Sequence, residues 1–215
     1  MKLYTFYSDS HEELYKNYFL ESFNRLGLDK HFELDATKVD QKGNGDFGTQ
    51  GFNSTMVDKV EILLRAVEEN PDQPFVFADC DIQFFENFHD DILTYLDDKT
   101  DMVAQSDNGT ICAGFFIGRG TKVMKKFLKY IHKVTPNYAN DQVAMNAHKG
   151  RVRYKLLPQE KYFTIAAVNG AKVWEGEKNY ELPKNIMVHH ANFTIGVPRK
   201  VEMFEYVREQ MKTHA

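Results

Sequence analysis

Hydrophobic positions along the chain fall into short β-former-rich runs separated by longer stretches at helical spacing. Residues 3–7 predict a first strand, closed by the polar turn Ser8-Asp9-Ser10. A helix is expected over 11–26, capped by Ser10, with Glu12 and Glu13 in the first turn where the dipole favours acids. Gly27 stops it. A second strand is expected over 31–36, then a polar, glycine-rich loop over 37–53. Asn53, Ser54 or Thr55 would cap a helix to about Glu69, striped by Met56, Val60, Leu63, Leu64 and Val67. Pro74 then introduces the buried strand Phe75-Val76-Phe77-Ala78. Helices follow from Asn87 or His89 to Leu96, over 121–134, from Asn140 with Asn137 or Asn140 as cap, and from Pro198 to the end. Strands are expected over 101–105, 111–117, 151–157 and 186–188, with 159–180 irregular. Alternating strands and helices predict an α/β fold, a mainly parallel sheet flanked by helices, in one domain over 1–215.

Composition narrows the class. At 42% hydrophobic and 27% charged the chain can fill one globular core, and 17 Phe with 11 Tyr supply rings for core and cleft. A net charge of -4 without a block of like charge disfavours nucleic acid or a membrane surface as partner. Two cysteines make no disulfide framework. The first eight residues are too polar for a signal peptide and no run reaches membrane-spanning length, so a cytoplasmic protein without membrane insertion is expected. In that setting the sequons at Asn53, Asn108 and Asn192 read as chance matches.

The chemistry concentrates where the Phe75–Ala78 run ends. Asp79 and Asp81 flank Cys80, and residues two apart in extended backbone point the same way. Two like charges there would repel and lose hydration, a cost that a hard divalent cation removes. Apolar residues resume at Ile82, Phe84 and Phe85, so the pair is not part of a charged face. Asp90-Asp91 and Asp97-Asp98, by contrast, read as the solvated ends of a helix. Asp141-Gln142 opens a later helix, and a short strand delivers His189-His190, either of which can be a ligand. Gly43, Gly45 and Gly48 match G-x-G-x-x-G formally, but polar residues precede them and 49–52 separate them from a helix, which excludes a dinucleotide fingerprint. Gly114 inside a strand marks a bulge, a close approach or simple packing. Lys122, Lys125, Lys126 and Lys129 form a solvated face.

Taken together, these residues resemble the GT-A fold glycosyltransferases that use nucleotide-diphosphate sugars. Asp79-Cys80-Asp81 matches the family's metal-holding Asp-x-Asp. The run from Asp141-Gln142 to Asn146 resembles the Asp-Gln-x-x-x-Asn element of the glycogenin-like retaining type. His190, Gly196 and Lys200 resemble its late His…Gly…Lys element, at wider spacing and without the Pro-Trp that follows. The chain also resembles the N-terminal glycosyltransferase domains of chlorovirus proteins that build capsid glycans, which implies host cytoplasm as the compartment. The resemblance implies Mn²⁺ or Mg²⁺ on Asp79, Asp81 and His190, with Cys80 in the binding segment. It implies a UDP-sugar donor (UDP-L-rhamnose or UDP-glucose) and a glycan or glycoprotein acceptor. Thr5, Phe6 and Tyr7 would cradle uracil and ribose, with Tyr7 stacked on the base. Lys200, and with it Lys59, would meet phosphate oxygens, although each lysine can also be read as a solvated surface charge, and for Lys59 that is the favoured reading. Asp141 would face the sugar, and Gln142 and Asn146 would orient hydroxyls. Two other readings are a haloacid-dehalogenase-type phosphatase, which also ends an apolar strand in Asp-x-Asp, and a non-catalytic nucleotide-sugar-binding module.

Overall fold

The computed structural model describes residues 1–40 and 49–214. Strand β1 (Lys2–Tyr7) leads into one helical run over 9–25, comprising a 3₁₀ turn, α1 (Glu12–Leu14), a π-wound middle (Tyr15–Leu20) and α2 (Glu21–Arg25). Gly27 ends it with φ +62°, as expected. Ser10 does not cap this run: its hydroxyl lies 2.8 Å from its neighbour's ring, His11 Nδ1. After β2 (Glu33–Lys38) comes α3 (Gln50–Glu69), which starts earlier than the sequence suggests. Thr49, not Asn53, is its cap and accepts from Phe52 N at 3.2 Å, so Gly51 lies in the helix. Gly43, Gly45 and Gly48 lie outside the described residues.

The chain continues through β3 (Pro74–Ala78), β4 (Ile82–Phe84), α4 (His89–Tyr95), β5 (Met102–Asp107) and β6 (Thr110–Arg119). Then come α5 (Lys122–Val134), α6 (Asp141–Ala147), β7 (Tyr154–Leu156), β8 (Tyr162–Thr164), α7 (Ala166–Asn169), β9 (Val188–His190) and α8 (Val197–His214). Thr121, expected within the helix, instead caps α5, and Asn140 rather than Asn137 caps α6. The 159–180 stretch, expected to be irregular, holds β8 and α7. Three buried residues such as Tyr162–Thr164 carry no readable period. Among the described residues no helix is long and apolar enough to cross a membrane.

Six strands form the central sheet in the order β2-β1-β3-β6-β5-β7, with β6 alone running against the rest. The reversal follows from the Asn108-Gly109 turn, whose φ values of +47° and +80° suit a tight hairpin. Along β3, Phe75 and Phe77 pack on one side of the sheet with α3 and α5, while Val76 and Ala78 pack on the other. Burial on both faces explains the unbroken apolar run. Truncating a ring such as Phe77 would cost about 3–5 kcal/mol. The reversal also brings the C-terminal ends of β1, β3 and β5 to the sheet edge where β6 begins. A second sheet, β4-β9-β8, branches away after Asp81 and pairs Ile82 with His190 and Gln83 with His189. Its far side is closed by α8, with Phe204 and Val207 in a third core cluster.

Candidate functional site

A cavity of about 540 Å³ opens at the edge where β1, β3 and β5 end. Asp79 is fixed there by its backbone N–H, which donates to Gly114 O at 2.7 Å. Asp81 lies two residues further, just before the chain leaves for the second sheet. The pairing of Ile82 with His190 brings that imidazole back over the acids. One ligand atom each from Asp79, Asp81 and His190 lie within 4.8 Å of one another. Gly114 leaves room for this meeting. A Cβ there would overlap the His190 ring and stand 2.7 Å from Asp79 Oδ2.

Three basic groups lie against Asp79, Asp81 and Asp141. Lys59, only 2% exposed, places Nζ 3.0 Å from Asp79 Oδ2 and 3.2 Å from Asp141 Oδ2. It is therefore not the solvated cation that its helix suggested. Burial works against its charge, but Asp141 and Asp79 outweigh burial and hold its pKa above the ordinary lysine value. Lys200 sits 2.5 Å from Asp81 Oδ2 and donates to Ala191 O at 2.8 Å. His190 Nε2 is 3.3 Å from Asp81 Oδ1, and its Nδ1 lies near Gln105 Oε1 (3.2 Å) and Cys112 Sγ (3.4 Å). Burial again opposes the charge, yet Asp81 and Cys112 raise the imidazole to about 10.

The two acids of the Asp-x-Asp differ. Burial pushes Asp79 up to about 6 despite Lys59, whereas Lys200 and His190 overcome burial and hold Asp81 well below the usual carboxylate range. Burial beside both acids also pushes the Cys80 thiol up. Three buried oxygens here lack a hydrogen-bond donor among the described residues: Asn192 Oδ1, and the acidic pair Asp79 Oδ1 and Asp141 Oδ2. Lys59 is close to the latter without the alignment of a hydrogen bond. Orphaned buried acceptors are costly and mark where a ligand or ion is received.

His189 faces the other way. It is wholly buried, with Nδ1 2.9 Å from Gln83 Nε2 and rings of Phe163 and Phe204 each 5.7 Å away. Burial pulls its pKa down to about 3, so it stays neutral. The late imidazole at the site is thus His190.

Asp141 opens α6 and is 2% exposed. Gln142 accepts from Ala113 N at 3.0 Å and donates to Asp107 Oδ2. Asn146 grips Ile111, accepting from its N–H at 3.0 Å and donating to its carbonyl at 2.8 Å. Both amides clamp α6 onto β6, although Gln142 also lines the cavity. Asp107 lines it too, and the sequence reading missed it; the signal was an acid at a strand end directly before Asn-Gly. Phe6 and Tyr7 line the cavity, but Thr5 does not: it is wholly buried within β1. One face of Tyr7 is already stacked on Tyr15, with centroids 4.2 Å apart and planes at 6°. Two carboxylates and an imidazole form the O,O,N donor set that suits Mn²⁺ or Mg²⁺, and the orphaned Asp79 oxygen fits a cation there.

The nucleotide-diphospho-sugar transferase family model matches residues 20–204. No curated protein sequence matches the chain significantly. Among solved structures, a glycosyltransferase involved in glycosylation of the major capsid of PBCV-1 is similar with a TM-score of 0.65 at 12% identity. That match covers 96% of this chain and 98% of the other. The apo-form glycosyltransferase GlyE of Streptococcus pneumoniae TIGR4 gives a TM-score of 0.57 at 14% identity, covering 99% of this chain and 61% of that one. A further GlyE structure gives a TM-score of 0.54 at 15% identity, with 99% and 62% covered. The chain thus spans about three fifths of the pneumococcal enzyme's length. At these identities the likeness establishes the GT-A fold.

Proposed function

The chain belongs to the nucleotide-diphospho-sugar transferase family and is a glycosyltransferase, and we propose that it moves a sugar from a UDP-sugar to a glycan hydroxyl with retention. The reading rests on one observation: Asp79, Asp81 and His190 converge within 4.8 Å in a cavity that also holds Asp141. These three residues would hold Mn²⁺ or Mg²⁺. A divalent ion held there would supply Lewis-acid stabilisation of the charge that develops on the departing diphosphate.

The protein's own groups would do the rest. Lys200, now on Asp81, is placed to donate charge-assisted hydrogen bonds to phosphate oxygens. Lys59 is tied to Asp79 and Asp141, so its role would be to keep Asp141 aligned. Asp141, with one oxygen undonated, would face the reacting carbon and either stabilise its oxocarbenium-like charge or attack it. Gln142 and Asn146 would fix α6, and with it Asp141, against β6. Phe6 and Tyr7 would line the nucleoside end.

UDP-L-rhamnose and UDP-glucose are the donors of first choice. The PBCV-1 enzyme's part in capsid glycosylation supports a glycan or glycoprotein as acceptor. The phosphatase reading falls with the family match. Calorimetry of UDP with Mn²⁺ and with chelator tests the proposal. Affinity should fall at least about tenfold with chelator or in Asp81→Ala, and equal affinity in all three would overturn it. Thermal shifts across a panel of nucleotide sugars with Mn²⁺ would identify the donor.

A further inference from the structure

Two loops meet over the cavity, and their backbone is under strain. Ala171 has φ +59° and Phe193 has φ +54°, a region that a Cβ-bearing residue avoids. Asn108 and Asp72, the other non-glycine residues there among the described ones, are types that tolerate it. Strain of this kind persists only where surrounding contacts impose it, and it gathers at ligand-binding segments. Here the contacts are visible. Trp174 N donates to Phe193 O at 2.6 Å, and Thr194 Oγ1 donates to Trp174 O at 3.0 Å. Trp174 itself is wholly buried against Tyr206 of α8, with centroids 6.2 Å apart. The two loops therefore form one preformed lip.

What the lip presents is aliphatic. Val173 is 49% exposed and Ile195 54%, and Val143, two residues beyond Asp141, is 44% exposed. All three line the cavity, as do Ala171, Phe193 and Met56. They are three of the four large hydrophobic side chains exposed to this degree among the described residues. The cavity's two lysines are paired with its own acids: Lys59 with Asp79 and Asp141, and Lys200 with Asp81. A hydroxyl-rich or anionic group crossing the lip would lose water to methyl groups that offer no hydrogen bond. An alkyl group would gain from the same contact.

We propose that the lip of Val143, Val173 and Ile195 selects an acceptor whose reacting hydroxyl stands next to an alkyl group. This rests on the glycosyltransferase reading, because it needs the acceptor to approach Asp141 across that rim. The occupant is an amphiphilic glycoside: a sugar that reaches the cavity and an aliphatic aglycone that lies along the lip.

The test is calorimetric titration of methyl and octyl β-glucosides, below the micellar concentration, into the protein saturated with UDP and Mn²⁺. Octyl glucoside should bind about tenfold or more tightly than methyl glucoside, from partial burial of a few methylene groups. In the double variant Val173→Ser with Ile195→Ser, that ratio should shrink to within about threefold. Equal binding of the two glucosides, binding of neither, or a ratio kept in the double variant would each overturn the proposal. UDP affinity, read first in every sample, separates the two readings. Absence of UDP binding defeats the donor site, and the glucoside ratio can then still be read without UDP.

Discussion

The two ends of β5 each carry a buried carboxylate, and the protein treats them in opposite ways. Asp101, just before the strand, is wholly buried and fully satisfied. It accepts from Arg153 Nε and Nη2 at 2.8 Å each, from Arg153 N at 3.1 Å and from Thr121 Oγ1 at 3.1 Å. Asp107, the last residue of the strand, has Gln142 as its side-chain donor, and it lines the cavity with Asp79 and Asp141, each of which keeps an undonated oxygen. The hydrogen bonds from Arg153 hold the Asp101 pKa below its ordinary value, while burial holds Asp107 above it. The lesson concerns how to tell a structural charge from a working one. A closed hydrogen-bond shell fastens a fold, and an open one is kept ready for something that arrives.

Breaking the open end should give the largest effect. Asp141→Asn should lower transfer by about 10²–10³-fold while Mn²⁺-dependent UDP affinity stays within about twofold. Steady-state kinetics beside calorimetry reads both, and unchanged transfer would favour a binding module. Next comes Gly114→Ala, whose methyl must displace His190 or Asp79. UDP affinity in Mn²⁺ should weaken at least about tenfold, and an unaltered isotherm would remove the three-residue cluster from the mechanism.

The closed end should answer in stability alone. Asp101→Asn replaces one of the buried carboxylate oxygens that accept from Arg153 and Thr121 with an amide nitrogen and should cost about 2 kcal/mol. That corresponds to a Tm lower by about 4–8 °C, with kcat/KM unchanged at low temperature. A kinetic defect without a Tm shift would contradict the distinction drawn between the two ends.

The smallest effect is in pH. Asp101 titrates below its ordinary 3.8 in the fold, so its contribution is present above about 3.8 and is lost as pH falls through the folded value. Asp107 titrates above 3.8, so its contribution is present below that value and is lost as pH rises through the folded one. Asp101→Asn should therefore flatten the acid limb of urea midpoint against pH. Asp107→Asn should leave the protein slightly more stable at neutral pH. Parallel shifts in both variants would defeat the assignment.

Much of this was legible before any coordinates. Strands buried on both faces leave unbroken apolar runs, so β3 stood out, and Asn140 was one of two candidate caps that announced α6. The reversal of β6 was written in Asn108-Gly109 but was not taken up when the sheet was read as mainly parallel. Lys59 was harder. Its helix is amphipathic, and a lysine beside an apolar stripe looks like a surface charge until the acids of two other elements are seen to surround it. Thr5 misled because the placement of a strand end does not say which side chain reaches the cavity. The choice between His189 and His190 was not legible, because it depends on which residue of β9 faces Ile82. Strand partners so distant in the chain leave no local signal.

That pairing has a further consequence. Because neighbouring side chains on a strand take opposite faces, the small sheet counts residues by parity. Adding or removing one residue just before Val188 would leave composition and charge nearly untouched. It would nevertheless turn His189 toward the acids and bury His190 among phenylalanine rings. A change of two would return the same imidazole, displaced along the strand. In the stretch leading to β9, the evenness of a length change matters more than its size.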